Sequence, residues 1–317
     1  MSRAGSTAAL AAVTVALGAV AAALPWLGVS SYVRTLVYYA CYYMALGQAW
    51  NLISGMTGYV SFAHGALAGI GAYATVIALN AQWPVAAGLA AGAAAAGLAS
   101  LVIGATSLRL RGAAFTFATL FFQELVLLIV RKLPAAGGPG GLVLQEIYPT
   151  SLPYVLMVVL AAVATIAVAA LRFSRTGVRV LAIKHDETAA VAIGIDSTRL
   201  KVAIFCASAA IAGLVGSIHA IFVGSLFPDV VFAVEISLIA LAVPLIGGVG
   251  TAMGPVVGAL LYVGMREVFQ VVAPGLHLTI VGLLILAVVL FMRDGIVGAA
   301  ARAWATRRRT AVPAEGG

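Results

Sequence analysis

The residues able to do chemistry are few, and none is arranged for catalysis. The four histidines, His64, His185, His219 and His277, are scattered, and Cys41 and Cys206 lie in apolar segments without metal-type spacing. The cysteines read as small buried hydrophobes. Lys132, Lys184 and Lys201, the only lysines, have no GxxxxGK[ST] context, and no HExxH or GxSxG sequence occurs. The chain therefore carries no visible enzyme, no metal or cofactor site and no means of hydrolysing ATP. Two carboxylates, Glu124 and Glu235, fall inside apolar runs near their expected outer ends. Ionisable groups at such depth usually face a bundle interior or a water-filled cavity, so both are candidates for a translocation path that receives a substrate ammonium.

The remaining charge is concentrated between Arg172 and Lys201, where six basic residues and three acids interrupt an otherwise apolar chain. That stretch belongs in water, and its positive excess places it on the cytoplasmic side. It also has the signals of a built element. Asp186 can cap a short helix, Glu187 suits the first turn, and Gly194 is a natural left-handed stop. The run Glu187 to Ile193 makes about two turns, roughly 10 Å of rod. Ala189 and Ala190 leave a smooth surface that another protein could grip, and Asp196 and Ser197 can cap the helix that re-enters the membrane.

The positioning elements follow from composition. Of 317 residues 63% are hydrophobic and 9% are charged, and the mean hydropathy is +1.12. This is an all-α polytopic membrane protein, a single transmembrane domain over 1–317. Its net charge of +8 marks orientation and not nucleic-acid binding. Apolar windows long enough to span fall near 7–28, 35–54, 58–80, 85–108, 112–130 and 152–171, then 202–224, 230–249, 252–271 and 275–292. That gives about ten spans. The connections at 55–57 and 250–251 are short enough to belong to broken or re-entrant helices. With both termini in the cytoplasm only Arg34, Arg131, Lys132 and Arg266 fall outside, and the other basic residues fall inside, as the positive-inside rule expects. Arg3 and its apolar run resemble a secretory signal, but the run extends through Leu27 and reads as a retained first span. The tail 293–317 is basic and suited to anionic lipid. Gly65 and Gly69, and Gly250, Gly254 and Gly258, recur at the four-residue spacing that lets helices pack closely in lipid.

Several motifs occur together in one order. The run Glu187-Thr188-Ala189-Ala190 with Gly194 resembles the EAA-type coupling loop of ABC importer permeases. The stretch from Asn51 to Gly65, with Gly69-Ile70-Gly71-Ala72-Tyr73, is similar to the signature of the LivM-type permeases of the branched-chain amino-acid importer family. So are Leu108-Arg109-Leu110-Arg111-Gly112 and the run from Gly247 to Pro255. Two departures stand out: Ala136 stands where relatives usually carry Thr, and the loop reads ETAA where they read EAA.

The resemblance implies a multi-pass subunit of the bacterial inner membrane. It would pair with a sister permease, two cytoplasmic ATPase subunits that bind the ATP, and a periplasmic binding protein. It implies that Asp186, Glu187, Ala189, Ala190 and Gly194 form the ATPase-coupling element. Asn51, Ser61 and His64, polar members of the signature, join Glu124 and Glu235 as candidate path residues. The rival class is an ion-gradient-driven secondary transporter of small solutes, which usually carries more ionisable groups near the midplane than this chain does.

Overall fold

The computed structural model describes residues 3–108, 110, 112–272, 279, 282 and 283. All but three residues of the predicted span 275–292, together with the tail 293–317, Arg109, Arg111 and His277, lie outside them.

The chain is built of helices in series. α1 (Arg3–Ala23) is followed by α2 (Ser31–Trp50), which Ser30 starts by accepting from the Val33 amide at 3.4 Å. A single π-helical turn, Asn51–Gly55, ends α2, and an irregular segment leads to α3 (His64–Asn80). The apolar window predicted from residue 58 is therefore only partly helical. Gly58 takes φ +82°, a left-handed turn that no helix continues through. Next come α4 (Val85–Ser107), α5 (Ala113–Lys132) and α6 (Ser151–Phe173). Two short helices, α7 (Arg175–His185) and α8 (Glu187–Ala192), precede α9 (Ser197–Val223). The described chain closes with α10 (Pro228–Val231), α11 (Val234–Gly247) and α12 (Gly254–Val272). Two short strands, β1 (Leu142–Val143) and β2 (Ser225–Leu226), pair antiparallel.

Among the described residues, five segments are long and apolar enough to cross a membrane by length and composition: Val85–Ser107, Ala113–Lys132, Ser151–Phe173, Ser197–Val223 and Pro228–Gly247. The architecture is thus an all-α polytopic membrane fold.

Its centre is the trio α3, α4 and α9, whose contacts are the most extensive in the molecule, with α2 packed against α6, α9, α11 and α12. Small residues let the trio close. A Cβ on Gly71 would overlap the Gly213 backbone, one on Gly216 the Ala68 carbonyl, and one on Gly92 the Ser217 hydroxyl. Of the glycines singled out by spacing, Gly65 abuts Ser237 and Gln123, and Gly69 abuts the Phe232 ring. Gly254 meets the Gly248 carbonyl and Gly258 the Val243 carbonyl, where α12 crosses α11. Gly250 differs: it lies in the turn between α11 and α12 at φ +75°, so it is a turn residue and not part of a helical row.

The two ends of the bundle are distinct. At one end residues 55–59, 108, 184–187 and 197–201 contact one another. At the other, Asn80 holds the 143–145 segment, β1 pairs with β2, and Arg131 pairs with Asp229.

Candidate functional site

The polar stretch between α6 and α9 folds as a hinged pair of helices. Ser174 caps α7 by accepting from the Gly177 amide at 3.0 Å. Asp186 then breaks the helix with extended backbone and caps α8, its Oδ1 accepting from the Thr188 and Ala189 amides at 2.9 and 3.0 Å. Gly194 turns the chain at φ +86°. Asp196 starts α9 by accepting from the Arg199 amide at 3.0 Å.

Glu187 does not face outward from this element. Its carboxylate is enclosed by three donors: Tyr59 Oη at 2.5 Å, Lys201 Nζ at 2.7 Å and Ser197 Oγ at 2.9 Å. The Lys201 side chain is 2% exposed and also donates to the Tyr59 hydroxyl at 3.0 Å and to the Leu108 carbonyl at 3.2 Å. The ammonium lies 4.3 Å from the centre of the Tyr59 ring. One buried cation thus joins α8, α9, the end of α4 and the 56–63 segment. Burial alone would push the Glu187 carboxyl upward, but hydrogen bonds from Lys201, Tyr59 and Ser197 and the Lys201 charge outweigh it and bring the group down to about 2. A second tether lies beside it, where Lys184 Nζ donates to the Gly55 carbonyl at 2.8 Å. Burial, and then the nearby Arg172 charge, lower the Lys184 pKa.

The orientation of α8 sorts its residues. Ala190 is buried, so it is part of the joint and not of the outward surface expected for it, whereas Ala189, Val191 and Ile193 are exposed. Ile193 is 77% exposed and Val191 51%, with Val178 of α7 also in solvent. An apolar strip on a polar loop is the feature that composition hid, because the eye follows the charges.

Behind this element lies a buried polar seam. Asn51 Nδ2 donates to the Thr251 carbonyl at 2.8 Å and its Oδ1 accepts from the Gly250 amide at 2.7 Å, so the π-helical turn is bonded to the α11–α12 connection. Gln48 donates to Thr165 Oγ1 at 3.2 Å and to the Ala252 carbonyl at 2.6 Å. Ser61 accepts from the Ala63 amide, and its own carbonyl accepts from the Trp50 indole. His64 Nε2 meets Ser208 Oγ at 2.8 Å, and Ser208 donates to the Ala49 carbonyl at 2.6 Å. Asn51, Ser61 and His64 are all fully buried.

The two intramembrane carboxylates part company here. Glu124 sits on the exposed face of α5 in a groove with Phe121, Leu125 and Leu128. Its neighbour Gln123 is the one that turns inward. Gln123 is fully buried, accepts from Ser237 Oγ at 2.5 Å, and donates to the Phe232 and Ala233 carbonyls at 3.2 and 3.0 Å. Sequence reasoning missed Gln48 and Gln123. The available signal was an amide within an apolar run, which burial makes obligatory to pair. Glu235 is partly exposed at the start of α11.

Residues 31–289 match the protein family described as Branched-chain amino acid transport system / permease component. The chain belongs to that family. Among its relatives, the high-affinity branched-chain amino acid transport system permease protein LivM of Escherichia coli (strain K12) is 28% identical over 269 residues, and that of Salmonella typhimurium 27% over 268 residues. Each alignment covers 72% of this chain and 61% of the relative, so the chain spans about three-fifths of the length of these permeases. No solved structure matches the chain. Membership in this permease family, with the membrane-capable helices, makes it a multi-pass protein of the inner membrane.

Proposed function

We propose that this chain is a membrane subunit of an ATP-driven importer for branched-chain or related amino acids, and that α8 is the element through which separate ATPase subunits drive it. The observation that carries this reading is the Glu187 clasp. A two-turn helix fixed from behind by a buried ion pair, with an apolar strip on its free side, is built to pass a push inward. A partner that grips Ala189, Val191 and Ile193 moves α8, and Lys201, Tyr59 and Lys184 carry the displacement to α9, the end of α4 and the π-helical turn. ATP binds to the partner and not to this chain, a sister permease completes the path, and a periplasmic binding protein delivers the solute. Conversion between outward- and inward-open packings then follows from the different affinity of the ATPases for the two states.

Ile193→Asp places a charge in the proposed apolar contact. ATPase subunits should no longer co-purify, and ATP-driven uptake should fall at least tenfold, while membrane insertion stays normal. Retention of both activities would remove α8 from the interface.

The proposed topology has ten spans with both termini inside, which puts the segment between α5 and α6 in the periplasm. Ala136 is buried there, but Ile147 is 96% exposed. Ile147→Cys should therefore react with an impermeant maleimide added to intact spheroplasts. Reaction only in inside-out vesicles would invert the topology.

A further inference from the structure

Where the α1–α2 connection meets the start of α6, at the end of the bundle that carries β1 and β2, lies a cavity of about 130 Å³. It is well below the range of about 300–1,000 Å³ that houses a whole organic ligand. Its polar lining consists of Arg34 and the hydroxyls of Ser31, Thr35, Thr150, Ser151 and Tyr154, with no carboxylate among them. Two of the hydroxyl protons are already used, Thr35 donating to the Ser31 carbonyl at 3.0 Å and Tyr154 to the Ala21 carbonyl at 2.8 Å.

The other donors are unspent. A terminal nitrogen of Arg34 donates to Ser31 Oγ at 2.8 Å, but Arg34 Nε is buried with no hydrogen-bond partner. The guanidinium makes no ion pair among the described residues. The hydroxyl protons of Ser31, Thr150 and Ser151 likewise have no acceptor among the described residues. A buried donor without an acceptor is destabilising, the more so on a cation. The start of α6 adds to the same demand. It begins at Ser151 with no side-chain cap, so the positive end of a 23-residue helix meets the cavity too. The surroundings set the depth. Trp26, Leu27 and Tyr32 beside the cavity are exposed, and aromatic residues of this kind sit at the headgroup level of a bilayer.

We propose that this cavity binds a phosphate oxyanion, Arg34 Nε and the hydroxyls of Ser31, Thr150 and Ser151 donating to its oxygens. A phosphate brings several strong acceptors on one small group, and a planar guanidinium suits it. The exposed aromatic residues favour the phosphodiester of a phospholipid headgroup as its source, and a free phosphate shares the chemistry. The cavity holds the phosphate and leaves the acyl chains to the membrane. A lipid held there would pin the α1–α2 connection to the start of α6.

The full chain, delipidated in detergent and titrated with phosphatidylglycerol, should hold a single lipid tightly by native mass spectrometry. Diacylglycerol with the same acyl chains, which lacks the phosphate, should bind about tenfold less well. Arg34→Gln should abolish that preference, and Arg34→Lys should restore part of it. Thr150→Val, which removes a hydroxyl and no charge, should weaken phosphatidylglycerol binding several-fold. Equal unfolding temperatures without ligand show that a variant keeps the fold. Inorganic phosphate separates the sources. If it raises the unfolding temperature of the wild type but not of Arg34→Gln, while the two lipids bind alike, the oxyanion site stands and its occupant is a soluble anion. A preference that persists in full in Arg34→Gln, or in Thr150→Val should Arg34→Gln fail to fold, overturns the site. So does equal binding of the two lipids with no response to inorganic phosphate.

Discussion

Lys201→Met should loosen α8 while leaving the transmembrane bundle folded. The variant leaves the Glu187 carboxylate enclosed beside Tyr59 and Ser197 with its cation gone. Breaking a buried pair from one side is costly, and with 16% of the Glu187 side chain still exposed the expected cost is about 2–3 kcal/mol. Hydrogen exchange of the Ala190–Ile193 amides should accelerate by roughly thirtyfold or more, that free energy expressed as a rate ratio. Coupled uptake should fall with it. Lys201→Met with Glu187→Gln should recover part of the protection, because the stranded charge is removed. The pH dependence has a definite sign. The Glu187 carboxyl is depressed from 4.5 to about 2, so its contribution is fully present above pH 4.5 and is lost as pH falls towards 2. Removing Lys201 raises the folded value, and the loss should begin at higher pH. Unchanged exchange in the single variant would mean the ion pair does not hold α8.

The second large effect is expected at the helix crossing in the centre. Gly216→Leu forces a side chain into the Ala68 carbonyl of α3, where backbone and not a flexible chain end is in the way. α3 and α9 must part, and overpacking of this kind costs about 1–3 kcal/mol even where side chains can yield. The yield of monodisperse protein should collapse and the unfolding temperature of what remains should drop. Gly264→Ala in α12, with nothing within 4 Å, is the contrasting case and should be neutral or gain up to about 1 kcal/mol of helix propensity. Equal behaviour of the two variants would contradict the close crossing.

These two sites differ in how far the sequence exposes them. The capped helix α8 was legible because its signals are local. Asp186 and Gly194 act on their own backbone within a few residues, so a cap and a left-handed stop can be read without knowing the tertiary structure. Family resemblance added the order of the motifs. What α8 turns inward was not legible. Ala189 and Ala190 are the same residue type, and only docking onto α7 and α9 decides that Ala190 is buried. The same holds for Glu124 and Gln123. Charge drew attention to the first, but the helix phase set by α3 and α10 buries the second. Apolar composition also fails to mark where a helix begins. Residues 58–63 are as apolar as a span, yet Gly58 and the hydrogen bonds of Ser54, Ser61 and Thr119 hold them irregular.

The central claim is that the apolar strip of α8 is the cytoplasmic surface on which an ATPase acts. Ile193→Cys tests it most directly, since that side chain is 77% exposed and lies just beyond the helix. In inside-out vesicles stripped of peripheral subunits, the cysteine should react rapidly with an impermeant maleimide. Adding back the ATPase subunits should suppress that reaction, and Lys201→Met should weaken the suppression. Reaction from the periplasmic side, or a rate indifferent to the ATPase, would contradict the account.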